Sequence, residues 1–407
     1  MQFLGILAFI IALLLSVMIH EFGHYLTARR FGMKVSEFFL GFGKKLWSTQ
    51  KGETEFGLKA IPAGGYCRIE GMVPSDTMPL GQEGRAFYRA SSGKKLIVLG
   101  AGSFLHFVIG FVLLFALFFG VGTTQVTSTI GQISPCVPPM TGDQKCKPSS
   151  LASPAKVSGL LPGDTIVSIN GKRITKWIDG VEIIRSSAGK EIILGIDRST
   201  KVQGVNPQAD PDLEIAVTPQ ARVFEGKTYG FVGIINQIET VRSNPLDSLN
   251  QATTTTGKFI SASVKSLISL PSKVPELWSQ TVGGKPRDPE GLVGVVGVAR
   301  VSGQAAGSSN LSASERIATF LIIIASLNIF VGLFNLLPIL PLDGGHMAVA
   351  IADEVRAFFA RLRGRGRPPA IDVSVLTPIT MVVFVLLAGP TLVLLFADIV
   401  NPVNLNL

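Results

Sequence analysis

Residues 17–26 read VMIHEFGHYL and close an apolar run that begins at Phe3. A carboxylate at the centre of a bilayer costs roughly 3 kcal/mol even on the most lenient insertion scale. A segment built to cross a membrane thus carries His20, Glu21 and His24 at its far end, against a penalty that an interior polar task would offset. The plainer alternative is a polar helix end lying at the interface.

Composition extends the membrane reading to the whole chain. The 407 residues are 47% hydrophobic and 16% charged, where soluble domains carry roughly 25% charge. Residues 3–19, 96–119, 317–337 and 375–396 form apolar runs near the ~20 residues that cross about 30 Å of hydrocarbon as helix. The expected fold class is a polytopic α-helical membrane protein with four spans. Pro378 and Pro390 predict a kink or break in the last span. The first run opens MQF without Lys or Arg, and no small-x-small site follows before Arg29 and Arg30, so it reads as a retained span rather than a cleaved signal peptide.

The loops set the orientation. Arg29, Arg30, Lys34, Lys44, Lys45, Lys51, Lys59, Arg68, Arg85, Arg89, Lys94 and Lys95 lie between spans one and two. Arg356, Arg361, Arg363, Arg365 and Arg367 lie between spans three and four. Excess Lys and Arg stay cytoplasmic, which predicts extracytoplasmic termini and an extracytoplasmic region 120–315. The net charge of +9 then reflects topology and anionic lipid rather than a nucleic-acid partner, although the run RLRGRGR at 361–367 suits either polyanion. Cys136 and Cys146 fall in the outer region and Cys67 on the reducing side. The outer pair is compatible with a disulfide or with two free thiols.

Five segments follow. Residues 1–119 hold the first two spans and, between them, the hairpin pattern STQKGETEF, with Lys51-Gly52 at its turn and IPAGGY closing it. Such a hairpin is either a soluble loop or a membrane-associated sheet lining a cavity. Residues 120–152 read as a linker. Residues 153–220 read as a small α/β domain, with strands at 165–170, 192–196 and 213–218, a helix at 178–187 and a turn at Asn170-Gly171. Residues 221–315 contain an amphipathic helix at 246–270 that Pro271 is expected to end. Residues 316–407 hold the last two spans.

His20-Glu21-Phe22-Gly23-His24 fits H-E-x-x-H. On a helix, positions i and i+4 share a face, so both imidazoles can reach one Zn²⁺, and Glu21 is placed beside them as a base. A catalytic zinc needs a third protein ligand and an open position. Only His106 and His346 remain among the histidines, and the best partner stretch is NLLPILPLDGGHM. There Pro338 and Pro341 interrupt the helix before Asp343 and can aim its carboxylate sideways. His346 is a rival ligand, and a loop carboxylate at a helix end is the plain reading of Asp343. His106, alone on an apolar helix, reads as a satisfied interior histidine.

Taken in order, HEFGH, GFG, IPAGGY, AKVSGLLPGDTIVSINGKRI and NLLPILPLDGGH resemble the site-2 proteases, zinc metalloproteases that cut within the membrane. The likeness is strongest to the bacterial plasma-membrane type with an extracytoplasmic PDZ-like domain. It implies that His20, His24 and Asp343 hold one Zn²⁺ per chain near the cytoplasmic side, that Glu21 is the catalytic base and that His346 is not a ligand. It implies that Asn335 holds substrate, that an edge strand near Gly41 and Gly43 pairs with the unwound substrate, and that Gly159-Leu160-Leu161 is a carboxylate-capturing loop. That loop also reads as a plain turn before a strand. The implied activity is regulated cleavage of single-span proteins, such as anti-sigma factors or remnant signal peptides, after a first outer cut. The oligomeric state stays open. One departure stands out: where the family has G-P-x-x-N at the start of span two, this chain has Gly102-Ser103-Phe104-Leu105-His106. GLVGVVGVARV also resembles a family segment, with no task evident in its residues. Of two rivals, a membrane-anchored PDZ scaffold with a non-catalytic metal has no need of Glu21, and a metal transporter is disfavoured by the single H-E-x-x-H and the large outer domain.

Overall fold

The computed structural model describes residues 1–138, 146, 150–198, 213–224, 226–282 and 291–402. They form two compact units, Met1–Val121 with Ser243–Leu407, and Gly122–Arg242. In chain order the first unit opens with α1 (Gln2–Arg30), β1 (Val35–Lys51), β2 (Thr54–Ile69) and α2 (Ser92–Ala116), which runs into a wider turn at Leu117–Val121. The second unit holds β3 (Thr123–Ile133), α3 (Pro154–Val157), β4 (Thr165–Ile169), β5 (Lys172–Arg173), α4 (Trp177–Ser186), β6 (Ile192–Asp197), β7 (Leu213–Val217), β8 (Gln220–Phe224), β9 (Lys227–Phe231) and β10 (Ile234–Val241). The chain returns to the first unit with α5 (Pro245–Val282), α6 (Val295–Gly307), α7 (Ala313–Asn335), α8 (Asp343–Leu362) and α9 (Thr377–Val400).

Among the described residues four helices are long and apolar enough to cross a membrane: Gln2–Arg30, Ser92–Val121, Ala313–Asn335 and Val373–Val400. Their outward side chains, Phe3, Leu15, Phe104, Val382 and Phe384 among them, are exposed in the isolated chain. Such a surface needs an apolar solvent, so the chain is a polytopic membrane protein. The last span is not broken. Pro378 sits in the first turn of α9, where its missing N–H has no helical partner to lose, and α9 continues through Pro390.

Pro271 does not end α5, which continues to Val282. A mid-helix proline costs about 3 kcal/mol, but the residues beyond it are anchored. Leu277 is buried, and Asn401 Nδ2 donates to the Gln280 carbonyl at 3.1 Å.

The β1–β2 hairpin is longer than the sequence suggests. IPAGGY lies inside β2 rather than at its end, and the turn falls on Gly52-Glu53, with Lys51 opposite Thr54. Gly41 and Gly43, at φ +89° and +83°, take up register shifts in β1. Glycines at positive φ let a strand bulge and bend where other residues would stop it.

The second half of GLVGVVGVARV opens α6, where the Gly297 N–H donates to Asp398 Oδ2 of α9 at 2.8 Å. Beyond that stretch the small residues of α6 let α1 approach closely: a β-carbon at Gly303 would lie 2.8 Å from Ile6 Cγ1, and one at Gly5 would lie 2.6 Å from Ala306 Cβ. Close backbone contact of this kind is how helices associate where no water drives them together.

In the second unit β10, β3, β4, β6 and β7 form one sheet in that order, with β5 against β4, while β8 and β9 make a separate pair. Ile130, Ile166, Ile169, Leu194 and Ile196 fill its core. The domain thus extends beyond 153–220 at both ends. The polar stretch TTQVTSTIGQI reads as linker, yet it forms β3, and Ile130 from it is fully buried among the module's isoleucines. Asn170-Gly171 forms the expected turn, both residues at positive φ. Cys136 and Cys146 are joined by a disulfide.

Candidate metal centre

α1 and α2 pack so that the His20 and His24 face of α1 meets the Val98, Gly102 and His106 stripe of α2. Those three positions recur every fourth residue and share one helix face. His24 Nδ1 lies 2.8 Å from the Val98 carbonyl, so Nδ1 carries the proton and Nε2 keeps its lone pair. Gly102 leaves room for the His20 ring: a β-carbon there would lie 2.6 Å from two of its atoms. His20 and His24 are both buried.

Asp343 is brought in by the Pro338–Pro341 stretch, which folds tightly back on the start of α8. A β-carbon at Gly344 would lie 2.3 Å from the Leu336 and Leu337 carbonyl groups, and one at Gly345 would lie 2.5 Å from the Leu340 nitrogen. The paired glycines are therefore the condition for the turn that aims the carboxylate. Asp343 Oδ2 stands 3.3 Å from His20 Nε2 and 3.4 Å from His24 Nε2, and the two Nε2 atoms are 3.1 Å apart.

These separations test the fit to zinc. Ligand atoms about 2.0–2.1 Å from one ion at tetrahedral angles lie roughly 3.3–3.4 Å apart. The observed triangle has that size. With Nδ1 of His24 committed to a backbone carbonyl, His24 Nε2 and the Asp343 carboxylate face the centre as electron-rich atoms, and bringing them together in a buried place calls for a cation. Among the described residues these three are the one group of His, Cys, Asp or Glu side chains close enough together to hold a metal.

Beside the triangle is a cavity of about 360 Å³, lined by His20, Glu21, His24, Tyr66, Cys67, Arg68, Ile69, Met72, Leu99 and Asp343. Glu21 thus opens on the same space as the three metal-facing groups. Gly65 of β2 passes directly over α1: a β-carbon there would lie 2.7 Å from Met18 Sδ and 3.5 Å from Glu21 Cγ. Tyr66 hydrogen-bonds to Glu37 and accepts from Lys59, which fixes this end of β2. Burial, with the nearby Glu21 charge, pushes the Cys67 thiol up to about 12, and Cys67 is not part of the close group formed by His20, His24 and Asp343.

The other sequence candidates lie elsewhere. His106 Nδ1 bonds to Asn328 Oδ1 at 2.8 Å and its ring packs on His20, centroids 4.9 Å apart. Asn328 in turn donates to Ser16 Oγ and the Ile324 carbonyl. His106 is thus a satisfied interior histidine outside the metal-facing group. His346, partly buried in the first turn of α8, is also outside it. Asn335 is the last residue of α7, partly buried, and neither it nor Gly41 or Gly43 lines the cavity. In the second unit Gly159 has φ +77°, Leu160 is a core residue and Leu161 is half exposed. The Leu160 N–H donates to the Ala155 carbonyl at 3.2 Å and the Leu161 N–H to Asp164 Oδ2 at 2.9 Å. Both amides are therefore already engaged.

The sequence reading missed the Val98 carbonyl, the Gly102 cradle and the contribution of residues 66–69. The first two were signalled by their spacing from His106 on α2. The third had no local signal, because long-range register decides which part of a strand meets a helix.

A polar catalytic-type cluster enclosed by apolar helices belongs to the class of metalloproteases that work inside membranes. Comparison with known proteins narrows the class: the Peptidase family M50 pattern matches residues 8–367, and the chain belongs to that family. It is 32% identical over 407 residues to the zinc metalloprotease Rip1 of Mycobacterium tuberculosis, covering 98% of each chain. It is equally 32% identical over 416 residues to Rip1 of Mycolicibacterium smegmatis, covering 99% of this chain and 98% of that one. The regulator of sigma-E protease RseP of Salmonella typhimurium is 26% identical over 439 residues, with 86% and 90% covered. The chain is accordingly an intramembrane zinc metalloprotease.

Proposed function

We propose that His20, His24 and Asp343 hold one zinc ion per chain and that Glu21 is the general base of peptide-bond hydrolysis. The observation that carries this reading is the triangle of 3.1, 3.3 and 3.4 Å between Nε2, Nε2 and Oδ2, with His24 fixed from behind by the Val98 carbonyl. Zinc, when bound, polarises a carbonyl and makes water acidic near neutral pH. Glu21, the next residue round α1, faces the same cavity and takes the proton of the attacking water, then delivers it to the leaving amine. Asp343 and the two imidazoles stay fixed while Glu21 cycles.

A substrate helix has its backbone groups paired internally, so it must unwind before it can be cut. Residues 66–69 of β2 run along the cavity wall and pair on one side only, with the start of β1, which leaves their outer edge free. The unwound segment pairs with that hairpin by β-augmentation, with Gly41 and Gly43 supplying the bend that carries it. Exposed Phe42, Leu46, Trp47 and Ile61 suit a hairpin that dips into the bilayer. Asn335 offers an amide to the substrate at the end of α7.

The substrates are single-span membrane proteins of the anti-sigma-factor type, cut after a first outer cleavage; the relative named for sigma-E regulation supports this class. The termini and residues 120–315 face outward, as the Lys and Arg distribution indicates. The unit Gly122–Arg242 acts as a PDZ-like filter. Because the Leu160 and Leu161 amides are engaged internally, exclusion of bulky substrates is favoured over capture of a terminal carboxylate. The test compares membrane-protein fragments in cells carrying wild type or Glu21→Gln. Single-span fragments that require Glu21 and a prior outer cut are expected. Identical fragment sets would overturn the reading.

A further inference from the structure

α8 has two faces that differ in kind. Ala350, Asp353 and Ala357 are buried, and Ser92 Oγ of α2 donates to Glu354 Oε2 at 2.9 Å. On the opposite side Ile351, Val355, Phe358 and Leu362 recur at helical spacing and are 50%, 48%, 51% and 67% exposed. Phe359, 51% exposed, widens the stripe. No described residue covers this face. A helix with one apolar stripe facing outward needs an apolar partner.

Charge identifies the partner. Arg361, Arg363, Arg365 and Arg367 cluster at the end of α8 and in the loop after it. Arg361 and Arg367 both pair with Glu354, and Arg356 pairs with Asp353. Arg363 and Arg365 are exposed and have no ion pair among the described residues. Spanning helices flank α8 on both sides, so its ends are held at the edge of a bilayer. An apolar stripe bordered by unpaired arginines is the pattern of a helix lying in the headgroup region.

We propose that α8 is an interfacial helix seated on anionic phospholipid, and that this seating holds Asp343, its first residue, against His20 and His24. The coupling to Asp343 rests on the zinc assignment above; the seating does not. The tight Gly344-Gly345 turn fixes where α8 begins, and a lipid-seated stripe fixes the rotation of the rest of the helix about its axis. The protease would then hold zinc more firmly, and cut faster, in membranes rich in anionic lipid.

The experiment uses the full-length protein in nanodiscs of phosphatidylcholine alone or with added phosphatidylglycerol. Bimane attached to Phe358→Cys should be quenched by brominated acyl chains. Absence of quenching, or a disulfide between two copies through that cysteine, would overturn the seating in favour of another occupant. In Arg363→Gln/Arg365→Gln, retained phosphatidylglycerol should fall roughly 25-fold, taking about fivefold for each arginine near an anionic surface. Unchanged retention would likewise overturn it. Zinc loss to a chelator should be several-fold faster in phosphatidylcholine alone and in the double arginine variant, with zinc content at the outset unchanged. Equal rates despite quenching would overturn the coupling to Asp343, and a wild type that never holds zinc would instead refute the zinc assignment.

Discussion

Gly102→Ala tests whether α2 holds His20 in its place. A β-carbon at this position would lie 2.6 Å from His20 Cε1 and Nδ1 and 2.7 Å from Nε2. Carbon contacts are comfortable at about 3.5 Å and beyond, so the ring or the helix must retreat by roughly 0.9 Å. Zinc–ligand distances are held within about 0.2 Å, and the displaced imidazole cannot keep its bond without moving α1. Overpacking of this kind typically costs about 1–3 kcal/mol. Charged to the bound geometry, that is roughly a 5- to 150-fold loss of zinc affinity. Gly100→Ala supplies the control, because a β-carbon there meets Met347 Cε at 3.8 Å and nothing nearer. Chelator competition on the purified full-length protein, with helical content checked by circular dichroism, reads the effect. Native zinc affinity in a folded Gly102→Ala protein would refute the packing argument.

Glu21→Gln should retain zinc while hydrolysis falls at least about 100-fold, as expected for removal of a general base; loss of the metal would instead make Glu21 a structural residue. In the second unit buried Asp164 accepts two bonds from Arg198, both 2.8 Å, and the Leu161 N–H. Asp164→Ala should lower that unit's stability by about 1–3 kcal/mol in chemical denaturation, and an unchanged midpoint would contradict the assignment of that loop as internally satisfied. At the hairpin turn the Arg85 guanidinium donates two hydrogen bonds to Glu53 and holds its carboxyl below the usual range. The folded value lies below the unfolded one, so this pair stabilises at neutral pH and its contribution fades as pH falls through the folded value. Hydrogen exchange in the hairpin should therefore separate wild type from Glu53→Gln by under about 1 kcal/mol at neutral pH and not at all in strong acid.

Helices and the meeting of His20, His24 and Asp343 were legible in sequence for a physical reason. Spans announce themselves through length and composition alone, and H-E-x-x-H places both histidines on one face whatever surrounds them. Asp343 was legible because prolines and glycines mark the turn that aims it, although the contact of Gly344 with the Leu336 carbonyl appears only in three dimensions. Strands fared worse. β3 hid in a Thr-rich stretch, since its partner strands lie far along the chain and a half-polar edge has no strong period. IPAGGY looked like a stop because proline and glycine usually punctuate, whereas in an irregular, bent hairpin they permit continuation. Pro271 misled in the same way: its local penalty is real, but tertiary anchoring past Leu277 outweighs it.

Zinc K-edge X-ray absorption on the full-length protein tests the central assignment most directly. His20, His24, Asp343 and Cys67 all line the cavity, so the first coordination shell discriminates between nitrogen and oxygen ligands and a sulfur one. A shell of nitrogen and oxygen at roughly 2.0–2.1 Å, with imidazole scattering from two rings and no sulfur, is the predicted result. That imidazole signal should vanish together with the bound metal in His20→Ala/His24→Ala. A sulfur scatterer near 2.3 Å, or full zinc occupancy after both histidines are removed, would contradict the account.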